Sequence, residues 1–122
     1  MIRILIADDH AMVRNGLDQL LNSVADFSVI GHARDGIEAI YLCEMLHPDV
    51  VLMDITMPRM DGLTATQILR QRNTWTKFIV LSALGDETLL QKAIETGVEV
   101  VLSKDASNKE IVDAVYTVSK TG

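Results

Sequence analysis

Val50-Val51-Leu52-Met53-Asp54-Ile55-Thr56-Met57-Pro58 decides how this chain is read: four consecutive apolar residues, then an acid, then a loop that contains proline. A strand covered on both faces of a parallel sheet needs a continuous apolar run of this kind, whereas a half-solvated strand alternates. Residues 4–7 and 78–81 have the same character, and strands are predicted over residues 2–7, 27–33, 50–53, 78–81 and 98–102. The segments between them carry helical periodicity. Met12, Val13, Leu17, Leu20, Leu21 and Val24 make the first apolar stripe, and Ile37, Ile40, Tyr41 and Met45 the second, after Asp35 with Glu38 three positions on. Pro48 stops that second helix. A third follows Asp61, with Leu63, Ile68 and Leu69 on one side; a fourth follows Asp86, with Leu89, Leu90, Ala93 and Ile94 ahead of Gly97. The fifth has capping-box spacing at Ser107 and Glu110 and a stripe of Ile111, Ala114, Val115 and Val118.

Strict alternation of strand and helix predicts an α/β protein with a doubly wound five-stranded parallel sheet, because right-handed crossovers put helices on both faces. No repeat, low-complexity tract or long linker breaks the pattern, so residues 1–122 read as one domain. A chain of this length buries roughly two-thirds of its unfolded surface and needs no staple. No apolar run approaches the ~20 residues that span a bilayer, and the N-terminal run is cut short by Asp8 and Asp9. A cytoplasmic protein without membrane contact is expected, and the lone Cys43 agrees with a reducing compartment. The formal net charge of −6 argues against nucleic-acid binding by this segment, which would need clustered Lys and Arg.

In open α/β sheets, ligands sit outside the carboxyl ends of the strands. The residues at those ends form a coherent set: Asp8 and Asp9 after the first strand, Asp54 after the third, Ser82 after the fourth and Lys104 after the fifth. In the flavodoxin-like strand order 2-1-3-4-5, strands one, three, four and five are neighbours, so these side chains would converge. Singly, each has an ordinary role: a helix cap, a loop acid, a turn serine, a surface cation. Together, three carboxylates repel unless a divalent cation, an ammonium or a raised pKa relieves them. An all-oxygen set suits magnesium and disfavours zinc. One ionised carboxylate can then attack phosphorus while metal and lysine offset the charge of the transferring group. Asp54 is the nucleophile of choice, Asp9 a direct metal ligand, Asp8 a ligand directly or through water, and the Thr56 backbone carbonyl a further ligand. Ser82 would donate its hydroxyl to a phosphoryl oxygen.

Asp8-Asp9, Asp54-Ile55-Thr56-Met57-Pro58 leading to Asp61-Gly62, Ser82-Ala83 and Lys104 together resemble the response-regulator receiver family over almost the whole chain. The nearer resemblance is to regulators of the NarL/LuxR type, through Asp9-His10, Arg14 with Gly16-Leu17, and Lys104-Asp105. It implies a two-component signalling domain that takes a phosphoryl group on Asp54 from a sensor histidine kinase, using Mg2+. Such a domain catalyses its own phosphorylation and dephosphorylation and is otherwise no enzyme. The resemblance also implies a helix-turn-helix output domain beyond residue 122, through which DNA would be bound; a natural single-domain receiver is the alternative. Two departures stand out: Val101 where the family carries an aromatic residue three before the lysine, and Asp105 where many members have proline. Coupling is then expected through Ser82, the Ala83-Leu84 loop, the fourth helix or another surface, and Thr56 and Leu84 are expected beside the water path. Val112 and Tyr116, off the main stripe of the fifth helix, could form with the first helix a homodimer surface favoured by phosphorylation. His10, opening a helix, reads as structural or solvated rather than as a phosphotransfer group.

Three rivals carry their own discriminators. A phosphatase with an aspartyl-phosphate would want a second acid where Thr56 stands. A flavin protein of the same architecture would not put Asp8-Asp9 against a ligand phosphate without a glycine-rich cradle. A receiver that docks partners without phosphorylation is conceivable from Val101 but leaves the full acidic set without a purpose.

Overall fold

Residues 50–54 form the strand β3 (Val50–Asp54), buried along its whole length, as the continuous apolar run requires. It lies in the middle of the sheet. The computed structural model describes residues 1–72, 75–83 and 85–120. Around β3 the chain alternates β1 (Ile2–Ala7), α1 (Ala11–Asn22), β2 (Phe27–Ala33), α2 (Gly36–Leu46), α3 (Gly62–Arg72), β4 (Lys77–Ser82), α4 (Glu87–Glu95), β5 (Val100–Ser103) and α5 (Asn108–Ser119). All four strand pairings are parallel and the order is β2-β1-β3-β4-β5, the doubly wound arrangement expected.

Side chains alternate across each strand, and the sheet therefore feeds two cores. Ile4, Ile6, Leu52, Ile79 and Leu81 pack with Leu17 and Leu21 of α1 and with Ile111, Val115 and Val118 of α5. Leu5, Val51, Met53 and Phe78 pack on the other face with Ala39 and Cys43 of α2 and Ala65 and Leu69 of α3. A smaller cluster, Ile55, Leu63, Val80 and Ala93, is bordered by Val101. Burial pushes the Cys43 thiol up to about 12, so it is a packing residue and not a nucleophile. Among the described residues no helix is long and apolar enough to cross a membrane.

The second and fifth helices are capped at the residues the sequence marks. Ser107 and Glu110 make a reciprocal capping box. Asp35 accepts from the Glu38 amide, while the Glu38 carboxylate reaches back to the Arg34 amide, one residue earlier than a box would place it. The second helix ends ahead of Pro48 with His47 left-handed at φ 50.

Three expectations need correction. The fifth strand starts at Val100 rather than Val98, because the Glu99 carboxylate accepts from the Phe78 amide at 2.9 Å and takes the place of a backbone partner at the mouth of the β4–β5 ladder. Of the stripe Ile37, Ile40, Tyr41 and Met45, Ile40 packs half-buried against the second core, but the other three are more than half exposed, and α2 buries Gly36, Ala39 and Cys43. Small residues let this helix lie close to its neighbours: at Gly36 a Cβ would stand 2.5 Å from the Met60 carbonyl oxygen. On α1, Met12 is 88% exposed although it shares helical spacing with the buried Leu17 and Leu21. Val112 and Tyr116 pack against the first core; the Tyr116 ring lies 4.8 Å from Phe27 and its hydroxyl donates to Asp26.

Candidate functional site

The carboxyl ends of β1, β3, β4 and β5 bring the predicted residues to one place. Asp54 is the last residue of β3, paired in register with Leu81, so Ser82 stands one step further along the neighbouring strand. The Lys104 amide donates to the Ser82 carbonyl at 2.8 Å, which holds the start of the β5–α5 connection against the end of β4. This backbone bond aims the lysine across the strand ends: its Nζ donates to Asp54 Oδ2 at 2.8 Å and stands 3.4 Å from Asp8 Oδ2. The Thr56 amide donates to the other Asp54 oxygen at 3.2 Å. Side-chain oxygens of Asp8, Asp9 and Asp54 and a ring nitrogen of His10 all lie within 4.8 Å of one another.

Burial separates the roles. Asp8 and Asp54 are fully enclosed, whereas Asp9 is about one-third exposed and faces the opening. Asp8 Oδ1 is tied by the His10 amide at 2.8 Å, while its Oδ2 is buried and accepts no hydrogen bond. The Lys104 ammonium, 3.4 Å from that oxygen, compensates it only in part, and three acids against one contacting ammonium leave a net negative cup. The donor set is oxygen-rich and partly open to water, which fits a hard divalent cation such as Mg2+ bound by carboxylates and water. Asp8, Asp9 and Asp54 are the side chains that could hold it.

Burial pushes the Asp54 carboxyl up to about 6, with the Asp8 charge acting the same way, against the hydrogen bonds from Lys104 and Thr56. For Lys104, burial alone would lower the pKa, but the hydrogen bond to Asp54 and the charges of Asp54 and Asp8 carry it upward. Raised above its unfolded value of 3.8, Asp54 contributes stability below that pH and loses it as the pH rises through about 6. A cation competes with that proton. Mg2+ at about 100 times its dissociation constant should therefore add about 2.7 kcal/mol at pH 7.5, a gain that fades as the pH falls through the Asp54 pKa. Melting curves with and without Mg2+ across this range check it; an equal increment at pH 5 and pH 8 contradicts it.

The structure adds residues to which the sequence reading gave no part in the site. His10 lies inside the acid cluster, its Nδ1 3.2 Å from both Asp8 Oδ1 and Asp9 Oδ1, while the ring remains mostly exposed. Arg14 donates to the Asp8 carbonyl at 2.7 Å, fixing the turn into α1. Asp86, read only as the start of a helix, does not cap α4: it accepts from the Thr56 hydroxyl at 3.1 Å and from the Ala83 amide at 2.8 Å. Spacing could signal His10, which follows the acid pair directly, but not Asp86, thirty residues from Thr56. Leu84 lies outside the described residues. The Lys104-Asp105 bond is not cis, as no cis peptide occurs among the described residues.

Comparison with known proteins agrees with this geometry. Residues 4–116 match the family model described as "Response regulator receiver domain". The chain is 42% identical over 120 residues to the transcriptional regulatory protein LiaR of Bacillus subtilis, covering 98% of this chain and 57% of that protein. It is 37% identical over 121 residues to DegU of Brevibacillus brevis, covering 99% of this chain and 51% of that one, so it spans about half the length of these curated relatives. Among solved structures, the receiver domain of the putative response regulator NarL from Mycobacterium tuberculosis superposes with a TM-score of 0.92 at 32% identity, covering 99% of this chain and 98% of that one. A CheX–CheY–BeF3–Mg2+ complex from Borrelia burgdorferi matches with a TM-score of 0.88 at 30% identity over 98% of this chain and 90% of that one. With its fold, acid cup and nearly end-to-end match in agreement, the chain belongs to the response regulator receiver domain family.

Proposed function

We propose that this chain is a phosphorylation-switched signalling domain in which Asp54 accepts a phosphoryl group from a sensor histidine kinase. The observation that carries the reading is the Asp54 carboxylate, buried at a strand end with Lys104 on one oxygen and two further acids beside it. In its ionised form one Asp54 oxygen attacks phosphorus; the bond from phosphorus to the donor's imidazole nitrogen breaks, and that nitrogen leaves with the electron pair. Lys104, already in contact with Asp54, offsets charge on the transferring group, and Ser82 supplies a hydroxyl donor to one of its oxygens. Mg2+, held by Asp8, Asp9, Asp54 and the Thr56 carbonyl, would supply charge neutralisation of the phosphoryl oxygens. Hydrolysis by water regenerates the carboxylate and releases inorganic phosphate, so the domain acts on itself and turns over no external substrate.

The names of the relatives support a transcriptional output, with DNA bound by a helix-turn-helix domain in the half of those proteins that this chain does not cover. A cytoplasmic location follows from such a role. The same reading includes homodimerisation through α1 and α5 on phosphorylation, where Met12 and Val13 leave apolar surface exposed. Intact mass after incubation with Mg2+ and acetyl phosphate tests the core of the proposal. One labile phosphoryl adduct, lost in Asp54→Asn, is expected; absence of an adduct on the wild type would leave a docking module that works without phosphorylation. Sizing with and without a phosphoryl mimic tests the dimer, which an unchanged monomer rejects.

A further inference from the structure

The loop that follows Asp54 is held at its base by the Gly62 amide donating to the Ile55 carbonyl at 2.9 Å. It is also held from the side of α2, across the end of β1. There the Gly36 amide donates to the Met60 carbonyl at 2.9 Å, and the approach is so close that a Cβ on Gly36 would lie 2.5 Å from that oxygen. One residue before Met60, Arg59 is left-handed at φ 64, a conformation costly for any residue with a Cβ. Its Nε donates to Asp35 Oδ2 at 2.9 Å, and its Nη2 reaches the same oxygen. Asp35 is 1% exposed and already caps α2 through its other oxygen, so both of its oxygens are engaged and the carboxylate is fixed in direction.

The guanidinium is 65% exposed and the carboxylate it grips 1% exposed, so the pair compensates a buried charge and at the same time ties the loop after Asp54 to the start of α2. Glycine would suit this backbone better. The residue is explained by what it holds in place: the stretch 55–60, which carries Thr56, whose amide binds Asp54 and whose carbonyl is proposed to face the cation. On the opposite side the Thr56 hydroxyl is held by Asp86. The phosphoacceptor loop is thus fixed from both flanks.

We infer that Arg59 and Asp35 are a positioning pair for the phosphoryl-transfer site, setting the β3–α3 loop so that Asp54 and the Thr56 carbonyl share one cation. The inference rests on the function proposed above and adds to it a pair that touches neither phosphorus nor metal. Asp35→Asn keeps a good helix cap while weakening the grip on Arg59, and Arg59→Gly removes the grip and relieves the backbone. Both variants should therefore stay folded.

The experiment measures Mg2+ affinity by calorimetry, the initial rate of Asp54 phosphorylation by acetyl phosphate at saturating Mg2+, and the metal-free Tm. Asp35→Asn and Arg59→Gly should each weaken Mg2+ binding and slow phosphorylation about tenfold. Their Tm should stay within a few degrees of the wild type, relief of the backbone in Arg59→Gly offsetting part of the lost ion pair. The double variant should be no worse than either single one, and Arg59→Lys should recover part of the loss. Affinity and rate within about twofold of wild type overturn the inference, as do losses that merely track a falling Tm. A wild type that binds no Mg2+ and takes no phosphoryl group sinks the proposed function itself, a result separable from unchanged variants of an active protein.

Discussion

Lys104→Met is expected to lower the rate of Asp54 phosphorylation by about 100-fold or more, the usual consequence of deleting a preorganised donor at a site of developing charge. Methionine approximates the apolar stem of the lysine, with sulfur in place of one methylene, and removes the ammonium that contacts Asp54 at 2.8 Å and stands 3.4 Å from Asp8. Without it, the two enclosed carboxylates face each other with no counter-charge. Asp54, already pushed up to about 6 mainly by burial, then shifts further upward, so less of the nucleophilic anion is present at neutral pH. Some loss of stability accompanies this, about 1–3 kcal/mol at pH 7, recovered on acidification as Asp54 takes up a proton. Stopped-time phosphorylation assays and urea melts at two pH values check both arms. A rate within about threefold of wild type would remove Lys104 from the chemistry.

Gly62→Ala should be among the most damaging single-methyl changes in the protein. A Cβ there would stand 1.9 Å from the Asp54 carbonyl oxygen, 2.8 Å from Met53 Cγ and 2.9 Å from the Asp54 carbonyl carbon. The nearest obstacle is backbone of a central strand, so no side chain can swing away to relieve it. Accommodation requires α3 to retreat from β3, which breaks the Gly62 amide to Ile55 carbonyl bond and moves the loop that carries Thr56. A cost of about 3 kcal/mol or more is expected, at the upper end of overpacking penalties, with a fall in Tm of roughly 10 °C. Weaker Mg2+ binding should follow, because Asp54 itself shifts. Chemical denaturation reads the first effect and calorimetry the second; a loss below about 0.5 kcal/mol would show that helix and strand separate freely.

How far the site was legible differs residue by residue. Asp8, Asp9, Asp54, Ser82 and Lys104 could be read because each stands at the end of an apolar run, and strand ends meet once a parallel sheet forms. Asp86 and Arg59 could not, since Thr56 and Asp35 lie thirty and twenty-four positions away and each residue has an ordinary local reading as a cap or a loop cation. The helices divide in the same manner. α5 buries its predicted stripe because it lies over one side of the sheet with its large residues inward. α2 departs from the expectation: Gly36, Ala39 and Cys43 face inward with Ile40 half-buried beside them, while Ile37, Tyr41 and Met45 remain outside.

Alternation of apolar strands with helical segments, and the gathering of Asp8, Asp9, Asp54, Ser82 and Lys104 at the strand ends, were determined by the sequence alone, since both follow from backbone periodicity and from where a parallel sheet exposes its ends. Only the tertiary structure decided which face of α2 is buried, where the fifth strand begins, and which side chains steady the loop after Asp54. Those outcomes depend on distances between elements far apart in the chain, and no local pattern encodes how closely two surfaces approach.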